Sequence, residues 1–477
     1  MPRISDHFKL DKTQAELDFV NINTNKDTRL YVDPYAIEIR DDELSDELKF
    51  HITTFFEDVL KSLRKGDATR AQYLTENLHE PRETFLGVSK GKPRGRGVGR
   101  EQADKMLSKL TSSRAYKTGL LTDLAETGLF IKNMHRDKIS DLTTNLIRGP
   151  LIRYTQEQCN LLEIPLTNDV AVAPCWNPDH RRWDSGYHNL PLIKGKPIIF
   201  VPKVIVRRAL SLEGPEFYNH HMLTFLQAEH LAAGTGLVKI LKNGTRVVPK
   251  KSLKKVHPYS KDSIADFIYD NKHVLDLYKN AKGTKGSLSN TDFDEEYRPE
   301  DFCDYLAREL AKIPSGKNDA DKYHKFMTGV LTFLFSPHLI SPKVEQPLHD
   351  GRKRIDIVYT NWSTDGFFSA IKTAEQTRAR FVIVECKNYS EDIKNPEFDQ
   401  LTGRFGHSRG RFGIICCRKN SNKATILSRS KDAALDGRGV VIVLDDTDIL
   451  KLLTAIKTGN RRGVSVYLDQ RYKEIAF

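Results

Sequence analysis

Two carboxylates and an ammonium group stand in short apolar segments that would ordinarily carry no charge. The first segment reads Lys353-Arg354-Ile355-Asp356-Ile357-Val358-Tyr359, and the second reads Phe381-Val382-Ile383-Val384-Glu385-Cys386-Lys387-Asn388. Both have the length, β-branching and polar flanks of strands. On a strand, Glu385 and Lys387 point to one face and Cys386 to the other. Charges at the end of a Val/Ile strand are expensive to bury unless they are paired or hold a cation, which singles these residues out as a site. If the two strands are neighbours, Asp356 comes beside Glu385. Two carboxylates then reach one hard divalent ion, with a lysine next to it.

The surrounding pattern predicts the elements that would position them. Residues 323–335 have helical apolar spacing, 344–348 read as a first strand, and the two site strands follow. Asn395-Pro396-Glu397 is a helix start, with Asn395 as cap, Pro396 in the first turn and an acid near the positive end. That helix carries Phe398, Leu401 and Phe405 on one side, and Gln400 and Arg404 one turn apart on another. A strand at 412–417, a helix at 424–435 and a strand at 440–444 complete the run.

Asp356, then Glu385-Cys386-Lys387, then Gln400 on the following helix resembles the PD-(D/E)XK nuclease superfamily. The run around the motif is similar to the superfamily's Mrr-like restriction endonuclease branch, over residues 320–458. The resemblance implies an αβββαβ restriction-endonuclease-like core within a mixed α+β, multidomain α/β chain. It also implies Mg2+ (or Mn2+) held by Asp356, Glu385 and the backbone carbonyl of Cys386. Lys387 would orient or activate a water for in-line attack on a DNA phosphodiester, Gln400 would position the lysine or a phosphate oxygen, and Arg404 would add a contact to the DNA backbone. The implied role is restriction of foreign DNA such as phage DNA. The expected partners are double-stranded DNA, a defence protein that gates activity, and a second copy of the chain. Where many relatives place a glutamate on the first helix, this chain has Tyr323-His324-Lys325, so a second metal would be held differently. Two other readings stay open: a lapsed nuclease fold that holds nucleic acid or a partner, and a ribonuclease, because the site itself does not discriminate sugars.

Composition bounds the rest. The 477 residues, 39% hydrophobic and 29% charged, predict a soluble chain of several domains. No apolar run approaches the roughly 18 residues of a membrane span. The N-terminus lacks the apolar core of a secretion signal, so a cytoplasmic location without membrane association is expected. Six scattered cysteines read as reduced thiols, and Cys175 with His180 and His188 lacks the paired spacing of a zinc knuckle. The net charge of +12 suits a polyanionic partner.

Outside the nuclease-like run, residues 1–165 read as a mainly helical recognition or docking domain and 166–290 as an α+β middle region. Residues 291–319 read as a linker and 459–477 as a tail. Short strands are expected at 17–22 and 30–34, and a helix at 48–63. The glycine-rich segment with Lys90, Lys92, Arg94 and Arg96 leads into a helix at 100–110 and loosely resembles the second half of a helix-hairpin-helix. It reads either as a phosphate-contacting turn or as a surface loop. Lys250, Lys251, Lys254 and Lys255 form a basic cluster, either a solvated face or a hold on duplex backbone. Tyr218, His220, His221 and His230 are scattered on a helix at 216–230 and read as surface or core residues. No helicase or nucleotide-binding motif is present.

Overall fold

The computed structural model describes residues 2–25, 28–78, 80–87, 100–283, 286–293, 297–348 and 353–476, without the side chains of 100–103, 345–348 and 353–355. The segment carrying Lys90, Lys92, Arg94 and Arg96 lies outside the described residues. The chain is mixed α/β, built on two large hydrophobic cores.

The first core runs from Ile4 to Tyr278. Its longest helix, α1 (Glu43–Lys65), begins where the Asp42 side chain accepts the Ser45 N–H and ends at Gly66, whose φ of +73° suits a residue without a Cβ. Helices α2 (Arg136–Leu146) and α3 (Arg148–Leu161) pack beside it. Strand β1 (Tyr31–Val32) pairs antiparallel with β2 (Val206–Arg207), and the Phe19 ring stacks on Phe200 with centroids 4.2 Å apart. A boundary near residue 165 therefore separates nothing: both sides contribute to one interior. Residues 17–22 do not form the expected strand. Leu17, Phe19, Val20 and Ile22 are all buried; pairing with residues 201–203 is confined to one bridge, and the Gln14 side chain takes the next groups by donating to the Phe19 carbonyl and accepting the Asn21 N–H.

The same region carries α4 (Leu223–Ala233), a hairpin of β3 (Lys239–Ile240) and β4 (Arg246–Val247), and α5 (Lys250–Val256). A π-helical turn at Tyr218–Met222 precedes α4, inside what periodicity reads as one regular helix.

The second core surrounds a five-stranded sheet. Helices α6 (Pro299–Lys312) and α7 (Ala320–Phe335) lead into β5 (Leu339–Leu348) and β6 (Lys353–Asn361). The chain continues through α8 (Gly366–Thr373), β7 (Phe381–Lys387), α9 (Asn395–Thr402), β8 (Phe412–Cys417), α10 (Lys423–Leu435) and β9 (Val440–Asp445). It ends in α11 (Asp446–Lys457) and α12 (Arg462–Ala476). Strand order is β5-β6-β7-β8-β9; the β5–β6 and β6–β7 pairs are antiparallel, and β7–β8 and β8–β9 are parallel.

Strand periodicity splits β7 between two faces. Val382 and Val384 enter the large core with α6, α7, α8, α11 and α12, whereas Ile383 enters a smaller core with Phe398 and Leu401 of α9 and Ile426 of α10. Two sequence expectations are corrected here. Residues 291–319 are not a linker, because α6 buries Phe302, Cys303, Leu306 and Leu310 in the large core. Residues 459–477 are not a tail, because α12 buries Val464, Leu468 and Ile475 there. In both, apolar residues recur on one helical face.

The two cores are joined through the first strand of the sheet. Ile340 and Trp362 pack into the N-terminal core, and the Arg40 guanidinium lies 5.0 Å from the Trp362 ring centre. The register of β5 shifts between Ile340 and Lys343, with Ser341 at a φ of +48°. That bulge presents the Ser341 N–H to the buried Asp18 carboxylate, which also accepts from the Tyr154 hydroxyl at 2.7 Å. Burial pushes the Asp18 carboxyl up and the neighbouring Lys203 ammonium down to about 8.

Because Leu468 is fully buried, the Leu468→Ala variant should lose about 2–5 kcal/mol in urea unfolding. An unchanged midpoint would return α12 to the status of an appendage.

Candidate active site

The ladder between β6 and β7 ends at the pair Ile357 and Val384. One step further in the same register, Asp356 stands opposite Glu385, so the two side chains share a face. Asp356 then leaves the ladder pattern: its Oδ2 accepts the Cys386 N–H at 3.0 Å. On a strand the C=O of a residue leaves on the same side as its N–H, so the Cys386 carbonyl is directed toward β6. Lys387, two residues beyond Glu385, shares its face.

Glu385 is fully buried. The Lys387 Nζ lies 3.1 Å from its Oε2, and the Arg404 guanidinium lies against its Oε1. Both contacts are ion pairs to a carboxylate that water does not reach. The Lys387 Nζ also donates to the Gln400 Oε1 at 3.1 Å.

Gln400 reaches the lysine because α9 lies close on the sheet. Gly413 in β8 makes room for it: a Cβ there would meet Leu401 Cδ2 at 2.9 Å and the Ile383 carbonyl at 3.0 Å. Lys394, not Asn395, is the N-cap of α9, and the Glu397 side chain accepts the Lys394 N–H at 2.7 Å. The helix ends at Thr402, and one further turn carries Arg404 under the sheet.

Asp356, Glu385, Cys386, Lys387 and Gln400 thus come together. Arg404 joins them in a different position from the expected one. It is 5% exposed and faces Glu385, so it is not a surface contact for DNA backbone. Burial pulls its guanidinium below the ordinary value, and the Asp356 charge opposes that pull. The Cys386 thiol, on the opposite face, is pushed well up by its hydrogen bond with Cys416 and by burial, so only its backbone serves the site.

Three neighbours were missed from sequence. Asn388, directly after Lys387, donates through Nδ2 to the Pro314 and Gly316 carbonyls at 3.0 and 2.8 Å, and its own carbonyl accepts the Gly316 N–H at 2.7 Å. Asp446 and Arg418 lie where strands β9 and β8 end and pair at 2.8 Å. Tyr323, in place of an acid on α7, donates to the Asp446 Oδ1 at 3.3 Å. The available signal was positional: each follows the carboxyl end of a parallel strand, the edge where α/β sheets place ligands.

Among the described residues no three or more His, Cys, Asp or Glu side chains are grouped to hold a metal. At β7 the protein offers two carboxylates and a carbonyl. That sparse oxygen set suits Mg2+, which keeps waters and substrate oxygens, better than zinc. Two protein cations face the oxygens of Glu385. In the basic cluster, Lys250 turns inward to the Asn219 carbonyl at 2.7 Å, while Lys251, Lys254 and Lys255 are exposed.

Residues 9–213 match a family model described as a domain of unknown function, DUF8370. The match lies within the N-terminal core and stops well short of β6 and β7. No curated protein matches the chain, and no solved structure does. No helix among the described residues is long and apolar enough to cross a membrane.

Two outcomes follow from this geometry. Removing one cation from a buried carboxylate leaves an uncompensated charge, so Arg404→Met should lose about 3–5 kcal/mol, and adding Glu385→Gln should restore most of it. Equal stability of wild type and Arg404→Met in urea titrations would show that Arg404 does not neutralise Glu385. Burial raises the Asp446 carboxyl to about 6, against the pull of Arg418 and Tyr323. The folded chain then holds a proton that the unfolded chain releases near its usual value of ~4, so this group's contribution to stability falls as pH rises from about 4 to 6. The Asp446→Asn variant should lose that slope, read as the difference in urea midpoint across the same pH window.

Proposed function

We propose that the chain is a metal-dependent nuclease that hydrolyses DNA phosphodiester bonds. The observation that carries the reading is the buried Glu385 carboxylate flanked by Lys387 on its own face and by Asp356 across the strand pair. The resemblance to the PD-(D/E)XK superfamily supports it, as does the order α7-β5-β6-α8-β7-α9-β8 around the site, the expected core with α8 inserted. Asp356, Glu385 and the Cys386 carbonyl are the groups that would hold Mg2+ or Mn2+. Such an ion, when bound, supplies Lewis acidity to a phosphate oxygen and lowers the pKa of a bound water.

The chain's own side chains do the rest. Lys387, held between Glu385 and Gln400, presents an ammonium group that orients the attacking water and stabilises charge gathering on the phosphorane-like oxygens. Gln400 fixes the lysine in place through its carbonyl oxygen. Restriction of invading DNA, such as phage DNA, is the role this reading carries, with a protein partner or a second copy of the chain as the means of control.

One observation favours a second reading. Arg404 and Lys387 already neutralise Glu385, as they would in a lapsed site that only holds nucleic acid.

Supercoiled plasmid separates the two. Wild type with Mg2+ should nick or linearise it, EDTA should stop the reaction, and Lys387→Ala should lower the rate by about 100-fold or more, assayed at a temperature where its circular dichroism spectrum matches that of wild type. A wild type inert toward DNA with either metal overturns the hydrolase, and cleavage confined to matched RNA duplexes makes it a ribonuclease.

A further inference from the structure

The most unbalanced charge on the chain lies far in sequence from the site. Between Glu229 and Asp262 there is no acidic residue, while seven cations fall in residues 239–255. Lys250 turns inward, but Lys239, Lys242, Arg246, Lys251, Lys254 and Lys255 are all exposed. No carboxylate among the described residues pairs with any of these six. Exposed cations elsewhere do find partners, as Arg114 does with Asp266, Lys132 with Asp262 and Lys457 with Asp304.

The six belong to one projecting unit, the β3–β4 hairpin and α5. The hairpin loop closes through the Leu241 N–H to the Thr245 carbonyl at 2.9 Å, the Thr245 N–H to the Asn243 Oδ1 at 3.1 Å, and Gly244 at a φ of +82°. Its base is firm. Val248 and Leu253 are buried, and the Gln227 amide of α4 donates to the Val248 carbonyl at 2.5 Å. Two apolar side chains stand uncovered at the end of β3: Ile240 is 73% exposed and Leu241 47%.

We propose that this hairpin and α5 form a wing that grips duplex DNA, with the cations on phosphates and Ile240 and Leu241 in the minor groove. A merely solvated face explains unpaired lysines but not two bare aliphatic side chains between Lys239 and Lys242. Cations flanking an apolar wedge on a hairpin match the chemistry of a minor groove between two phosphate rails. The choice of DNA rests on the nuclease reading; the anion-binding wing does not.

The test is fluorescence anisotropy of a labelled 30-base-pair DNA duplex with the full chain in EDTA, where cleavage does not intervene. Three proteins are compared: wild type, Lys239→Ala/Lys242→Ala/Arg246→Ala/Lys251→Ala, and Ile240→Ala/Leu241→Ala. The charge variant should bind about tenfold or more weakly near 0.1 M salt, with a salt slope reduced by about one per lost phosphate contact. The apolar variant should bind several-fold more weakly with the slope unchanged. Binding by the charge variant within twofold of wild type at the same slope overturns the wing. So does a wild type that binds no DNA duplex, or one that prefers an RNA duplex or phosphatidylserine vesicles. Plasmid cleavage with Mg2+ is read separately. Wing-dependent binding without any cleavage sinks the hydrolase and leaves the wing standing, whereas cleavage with wing-independent binding does the reverse.

Discussion

A carboxylate with no access to water has to be neutralised where it sits, and Glu385 sets that requirement at the centre of the sheet. Two cations meet it from different directions: Lys387 from the same strand, and Arg404 from the turn after α9. The second is available only because α9 lies flat on β7 and β8, which the absent side chain of Gly413 permits. Local strand geometry, helix docking and electrostatics at the end of β7 therefore form one problem with one solution. A substitution that lifts α9 would disturb the charge balance of a residue it never touches.

The N-terminal region does not hang from this sheet by a flexible connection. Its core takes in Ile340 and Trp362, and Asp18 accepts the N–H of Ser341 at the bulge in β5. Surface pairs add to the seam, with Lys343 on Glu157 at 2.8 Å and Lys325 on Glu163 at 2.7 Å. Such exposed pairs are individually weak; the buried aromatic and the Asp18 cluster carry more of the join. The residues matched by the family of unknown function, 9–213, thus include part of the surface against which the first strand of the sheet is set.

What could be read from sequence was whatever a short period encodes. The alternation in residues 381–387 places Glu385 and Lys387 together, and the spacing of Phe398 and Leu401 turns Gln400 toward the lysine. The position of Arg404 was not legible, because the helix ends at Thr402 and the following turn decides where the guanidinium goes. Domain limits failed for a related reason. The pairing of Tyr31 with Arg207 and the burial of Leu468 are long-range facts, and nothing in the local pattern of either segment announces its partner. Residues 17–22 misled in the opposite way: an apolar run looks like a strand, but here a single bridge to Pro202 and a glutamine side chain share its hydrogen bonds.

The triple attachment of Asn388 to the turn at Pro314 and Gly316 makes the junction of α6 and α7 continuous with the end of β7. Displacement of either helix is therefore transmitted, like a tug on a tether, to the backbone one residue from the ammonium group of Lys387. The helices are the levers, and the asparagine is the knot.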